Sequence, residues 1–579
     1  MRPTMKTRAE VLRRLAALGA GDGTVDVLIV GGGINGVGIL RDLAAQGVPA
    51  LLVEQEDFSG GTSAAPSRLI HGGLRYLETG EFALVRESVE ERNLLLRNAA
   101  HVVKPLRVWV PVQGWFGGLG SALGRVLRLV RTPSRKGAAV VTMGLVVYDW
   151  FGKVGRSMPT HRILSRRDAL AEVPSLNPST TVIGEFYDAR ITHPERLVVE
   201  LVADAEADCP QAMAVNYLSV SGFADGAVVL TDRIGGAEFR VRPKVVVNAA
   251  GPWVDGVDGV LGSRDRLMGG TKGSHLVIRA PGLVGELGDT MLYFETPDHR
   301  ICLIYRLSGD LFLLGTTDIR TDDPADRVCS EAEIAYLLDV LRTALPGFRP
   351  NREDIVFQYA GVRPLPVSSA GATGAISRDH KLHEREPSAG RPFALLTLVG
   401  GKWTTYRACA EQIVDVVLRR LHYPRRVDTR TLPVGGGRDF PADEAALGAW
   451  VRALAARHGL PDARVRDLAG RYGSGAEAVA TAIAAAVTDR PIAGAPTYSA
   501  AEIACLARQE RVERLGDIVL RRTLMAFEGL ACRETLADLA EVVGDALHWS
   551  GERREAELQA TMTLMATRHG VAMDWARAA

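Results

Sequence analysis

The chain has 579 residues, 47% of them hydrophobic and 24% charged, and a net charge of +1 at pH 7. That length calls for two or three domains of roughly 100–200 residues each. The composition excludes a disordered chain, and the charge balance gives no reason to expect nucleic acid or another polyanion. Six scattered cysteines (Cys209, Cys302, Cys329, Cys409, Cys505, Cys532) contain no C-x-x-C pair, so neither a disulfide scaffold nor a metal centre is indicated. No run reaches the roughly 20 apolar residues that span a bilayer. Residues 1–24 carry Arg2, Lys6, Arg8, Arg13 and Arg14 without a following apolar stretch, so they read as a short basic helical extension rather than a secretory signal. A cytoplasmic protein is expected.

An apolar run over residues 26–30 enters Gly31-Gly32-Gly33-Ile34-Asn35-Gly36, a helical pattern follows, and a second apolar run over residues 50–53 ends in Glu54. This is a G-x-G-x-x-G fingerprint in its full βαβ context. Gly31 permits the tight turn, Gly33 lets backbone approach a pyrophosphate, and Gly36 lets the helix pack on the sheet. The helix N-terminus offers free N–H groups to the phosphates, and Glu54 lies where a ribose hydroxyl would be bound. The fingerprint does not by itself separate NAD from FAD.

Next comes an unusual loop, SGGTSAAPSRLIHGGLRYLE, and an amphipathic helix is predicted over residues 81–98 from the spacing of Phe82, Val85, Val89, Arg92 and Leu96. Residues 138–148 are apolar but short and read as core. Short β-rich runs at 215–220, 227–231, 245–248, 301–305 and 311–314 suggest a substrate domain interleaved with the nucleotide domain, together filling residues 25–423. Residues 424–443 read as a linker, broken by Pro433, Gly435-Gly436-Gly437 and Pro441. Beyond it, Leu447, Trp450, Val451 and Leu454, then Leu536, Leu539, Ala540, Val543 and Leu547, mark a C-terminal helical domain over 444–579. The expected fold is α/β: a Rossmann-like FAD-binding domain interleaved with a β-rich substrate domain, plus an all-α C-terminal domain.

Two later strand–turn pairs, KVVVNAAG at 244–251 and LLTLVGGKWTTYR at 395–407, would bring backbone to a cofactor again, as a flavin held along its length requires. In order, GGGINGVGI, SRLIHGGLRYLE, VVNAAGPWVD, KGSHLVI, LLGTTD, AGVRPL and GGKWTTYR resemble the FAD-dependent glycerol-3-phosphate dehydrogenase family, and RRTLMAFEG is similar to its cap domain. The resemblance implies FAD as cofactor, sn-glycerol 3-phosphate as substrate and a membrane quinone as electron acceptor. It implies cofactor contacts at Gly31, Gly33, Ile34, Asn35, Gly36, Glu54, Gln55, Thr62, Ser63, Ser67, Arg68, Leu69, Ala250, Gly251, Gly401, Lys402 and Thr404. Arg75, Tyr76, Lys272, Arg363, Lys402 and Thr404 are assigned to the substrate pocket, where a phosphate dianion calls for fixed cations.

Oxidation at C2 needs a base near the hydroxyl proton. His71 and His275 are candidates, with His71 preferred, while Arg363 could instead stabilise a developing alkoxide. The DAR element at 188–190 is family-like, but its surroundings differ from the commoner acidic pair. Residues 115–136 combine Trp115, Phe116 and an apolar face with Arg125, Arg128, Arg131, Arg135 and Lys136, which suits an anionic membrane surface. Peripheral association with the inner face of the cell membrane is therefore expected. The alternatives are a soluble glycerol-3-phosphate oxidase that uses O2 and a non-catalytic nucleotide-binding scaffold. A homodimer is left open.

Overall fold

A computed structural model describes residues 5–74, 81–113, 138–151, 158–296, 298, 300–367 and 379–573. The strand Thr24–Val30 lies between Ala50–Val53 and Glu238–Asn248, and pairs parallel with both. Ala394–Val399 adds in parallel beyond Glu238–Asn248, and Met213–Val215 beyond Ala50–Val53. Strands of such a sheet are covered on both faces and so are apolar throughout. Val27 and Ile29 pack with the helices Ile34–Ala45, Pro194–Asp208 and Tyr406–Leu421, while Leu28 and Val30 join Val11 and Leu15 of the N-terminal helix Arg8–Ala20. That helix is docked: Thr7 caps it, and buried Arg8 pairs with Asp232 at 2.5 Å.

A second, ten-stranded sheet carries the interleaved segments. Gly270–Arg279 is its pivot, antiparallel to Leu311–Gly315 and to Ile355–Arg363. One face packs on its own helices, Glu331–Ala344 among them. The other shares a core with the C-terminal helices Glu444–His458, Asp462–Tyr472, Ala476–Ala485, Ala500–Gln509, Arg533–Leu547 and Gly551–His569.

Three expectations change. The run at 215–220 is two strands, Met213–Val215 and Leu218–Ala224, because Tyr217 takes a left-handed φ of 56° and sends its hydroxyl to Asp517 at 2.6 Å. The segment 424–443 is packed in place: Val434 N–H donates to Asn98 O at 2.9 Å and Gly435 N–H to Asp204 at 2.8 Å. Finally, the helix Ala138–Phe151 is core on one face only, with Leu145 and Tyr148 buried but Met143 and Val146 exposed.

Candidate active site

The first glycine turn leaves the end of Thr24–Val30. Gly31 has φ +109°, and a Cβ there would come within 2.6 Å of Ala249 O. A Cβ at Gly36 would overlap the carbonyl oxygen of Gly31. The helix Ile34–Ala45 begins with Gly33 as its N-cap, so the cap supplies no side chain to cover the first-turn N–H groups. The N–H of Ile34 donates to Ser63 Oγ at 2.9 Å. Glu54 ends the second strand and accepts from Gly32 N–H at 2.6 Å and Glu56 N–H at 2.8 Å. Burial pushes its carboxyl up to about 7.

The other two turns arrive at the same place. Ala250 and Gly251 follow Glu238–Asn248, and Gly251 has φ +60° with nothing within 4 Å of a would-be Cβ. Gly401 follows Ala394–Val399 at φ +95°, and a Cβ there would lie 2.6 Å from the Asn35 amide. The three turns line an open cleft whose space, solvent at its mouth included, is about 1090 Å³. Gly31, Gly33, Ile34 and Asn35 line it, with Glu54 and Gln55 at one stretch and Thr62 and Ser63 at another. Ala250, Gly251, Gly401 and Lys402 also line it, Gly36 packs behind it, and Ser67, Arg68, Leu69 and Thr404 are not among its lining residues. Asn35 Oδ1 is buried on this wall with no hydrogen-bond partner among the described residues. A glycine cradle at a helix N-terminus, a buried carboxylate just after the second strand and an unsatisfied amide together fit a dinucleotide.

Other assigned residues lie elsewhere. Arg68 (φ +53°) turns its guanidinium away, to Glu195 at 2.8 Å, Thr192 O at 2.8 Å and the Phe527 ring at 3.8 Å. Its side chain therefore ties the loop to Thr192 and Glu195 and, through Phe527, to the C-terminal domain. The Leu69 side chain is core. Lys272 is buried, and its ammonium pairs with Asp326 and Glu333, both at 2.9 Å.

Arg363 ends Ile355–Arg363, one residue after Val362, whose carbonyl accepts from Thr62 Oγ1 at 2.6 Å. It donates to Asp318 and to Thr316 Oγ1, each at 3.0 Å. Thr404 Oγ1 accepts from His71 N–H at 3.2 Å, joining the third turn to the histidine turn. Ser67 and His275 share a hydrogen bond of 2.8 Å, and the imidazole stacks on Tyr359 at 4.8 Å. Burial, with Arg363 and Arg68 as like charges, drives His275 down to about 3, so it is neutral. Arg75, Tyr76 and the basic segment 115–136 lie outside the described residues. Sequence reasoning missed the partners beneath the histidine turn, Arg92 and Tyr148, and left Asp188 without a role; the available signal was an arginine inside the apolar stripe of a helix.

Residues 26–415 match the family model described as FAD dependent oxidoreductase, and residues 427–554 match the C-terminal domain of alpha-glycerophosphate oxidase. Fold and cleft thus define an FAD-dependent oxidoreductase. The chain is 33% identical to a glycerol-3-phosphate dehydrogenase of Synechocystis sp. over 568 residues, covering 92% of this chain and 95% of that one. It is 31% identical to glycerol-3-phosphate dehydrogenase 2 of Mycobacterium tuberculosis, covering 92% of this chain and 86% of the relative. The chain belongs to the FAD-dependent glycerol-3-phosphate dehydrogenase family. Its fold is that of the Bacillus halodurans glycerol-3-phosphate dehydrogenase complexed with FAD (TM-score 0.73, 22% identity, 99% of both chains).

Proposed function

We propose that this enzyme oxidises sn-glycerol 3-phosphate to dihydroxyacetone phosphate and passes the electrons to a membrane quinone. Bound FAD supplies the hydride acceptor. The observation that carries the reading is the meeting of Lys402, in the cleft wall, with a turn that leads through Thr404 to His71. Lys402, Arg75 and Arg363 supply cations for a phosphate dianion and for the oxygen at C2, and Tyr76 and Thr404 complete the substrate set. His71 takes the C2 hydroxyl proton. A buried imidazole at about 3, such as His275, is too weak a base for that task, so His275 is better suited to hold Ser67.

Among the described residues, no helix is long and apolar enough to cross a membrane. Access to quinone is therefore assigned to residues 115–136, whose arginines suit anionic lipid. In turnover with sn-glycerol 3-phosphate, dihydroxyacetone phosphate should form with stoichiometric reduction of a quinone analogue. Stoichiometric hydrogen peroxide instead would make the enzyme an oxidase. Neutralising Arg125, Arg128 and Arg131 should abolish flotation with anionic liposomes, and unchanged flotation would remove that segment from the role.

A further inference from the structure

Beneath the His71–Gly72 turn lie three buried polar side chains from three separate elements. Arg92 comes from the helix Phe82–Asn98, Tyr148 from Ala138–Phe151 and Asp188 from the strand Val182–Ile191. Arg92 Nη1 donates to the Tyr148 hydroxyl at 2.9 Å and to Asp188 Oδ1 at 3.1 Å. Burying such a trio costs desolvation energy that packed apolar side chains would avoid. What it provides, and apolar groups cannot, is a pair of oriented acceptors.

Those acceptors face one donor. The N–H of buried Gly72 points to the Tyr148 hydroxyl at 3.0 Å and to Asp188 Oδ1 at 3.2 Å. A Cβ at Gly72 would overlap the Tyr148 hydroxyl and press on Val89 within 2.5 Å, so the turn sits directly on the phenol. The preceding N–H, that of His71, donates to Thr404 at 3.2 Å. Two consecutive amides are therefore held by different elements, one by Thr404 of the third glycine turn and one by this trio. Gly73, at φ +77°, then lets the chain turn away. Burial raises the carboxyl of Asp188 and the phenol of Tyr148, but Arg92 opposes both shifts and keeps the acceptors in register.

We infer that Arg92, Tyr148 and Asp188 are positioning residues for the reaction, fixing the His71–Gly72 backbone so that the imidazole meets the substrate in one geometry. This rests on the reading of His71 as the proton acceptor. A misplacement of about 1 Å can lower a rate about 100-fold. Removing one of two acceptors is a milder change, with an expected loss of about tenfold.

The test is Tyr148→Phe in the FAD-loaded full-length enzyme. The ring keeps its edge contact with Phe186 (centroids 5.6 Å, 79°), so packing is retained. Stopped-flow flavin reduction by sn-glycerol 3-phosphate should slow about tenfold at saturation, with half-saturation changed less than about twofold and FAD content unchanged. Amide hydrogen exchange across residues 69–74 should accelerate, and Asp188→Ala, which removes the other acceptor, should do the same. Wild-type exchange in both variants overturns the inference, as does a rate loss no larger than any loss of FAD. Should the wild type not be reduced by this substrate, the functional reading fails, and the exchange measurement still decides whether the trio holds the turn.

Discussion

The cofactor cleft and the junction with the C-terminal domain are built by opposite means. The cleft is backbone: three glycine turns at strand ends, with space set by missing Cβ atoms at Gly31, Gly36 and Gly401. The junction is side chain. Arg522 pairs bidentately with Asp57 at 2.6 and 3.0 Å, both fully buried, Arg196 reaches Glu510 at 2.5 Å, and Arg511 reaches Glu206 at 2.6 Å. Backbone approaches admit no substitute residue. Ion pairs admit one, provided that both partners change together.

That difference can be broken by mutation, and the largest effect belongs to the cleft. Gly36→Ala places a methyl on the Gly31 carbonyl and should cost roughly 4 kcal/mol or more, the exceptional end for a single change. The purified protein is expected to be colourless, as flavin absorbance per protein would show. At the junction, Asp57→Ala leaves Arg522 charged and buried, with an expected loss of about 3–5 kcal/mol in denaturant melts. The double change Asp57→Leu with Arg522→Met should recover most of it. A Gly36→Ala protein that is yellow and as stable as the wild type, or no recovery at the junction, would erase the distinction.

Lys402→Ala should lower the flavin-reduction rate about 100-fold, the scale for removing one donor or cation from a developing charge. Glu54→Gln should weaken FAD binding by about 1–3 kcal/mol at pH 8 and less at pH 6. The sign follows from burial, which raises the Glu54 carboxyl to about 7. Its contribution to fold stability is present below the ordinary carboxylate pKa and is lost as pH rises through 7. Ribose hydroxyls donate to the ionised form, so FAD affinity should rise over the same interval in the wild type and stay flat in the variant. The smallest effect is expected from Lys272→Met. With its ammonium already matched by Asp326 and Glu333, KM for substrate should move less than about twofold, although stability falls.

The same contrast explains what could be read from the chain. Glycine spacing, strand-ending turns and the acidic residue after the second strand are local signals, so the three turns of the cleft were legible, whereas Leu218, Val220, Pro252 and Trp253, which also line it, were not. Helical periodicity likewise marked the amphipathic helix Phe82–Asn98 and the helices Glu444–His458 and Arg533–Leu547. Partners hundreds of residues apart leave no such trace. Arg68 stands in a motif that the sequence places beside the cofactor, yet its side chain meets Glu195 and Phe527. Lys272 stands in another, and its partners are acids on a distant loop and helix. Residues 424–443 look like a tether by composition, but their N–H groups are claimed by Asn98 and Asp204. A motif fixes where a backbone goes, while the direction of a long charged side chain is set by which opposite charge the fold brings near.

The most direct measurement is anaerobic mixing of the purified enzyme with sn-glycerol 3-phosphate while the flavin absorbance is followed. Rapid bleaching at the wild-type cleft is the predicted result. A bound flavin that stays oxidised with this substrate would contradict the assignment of Lys402, Arg363 and His71 to its oxidation.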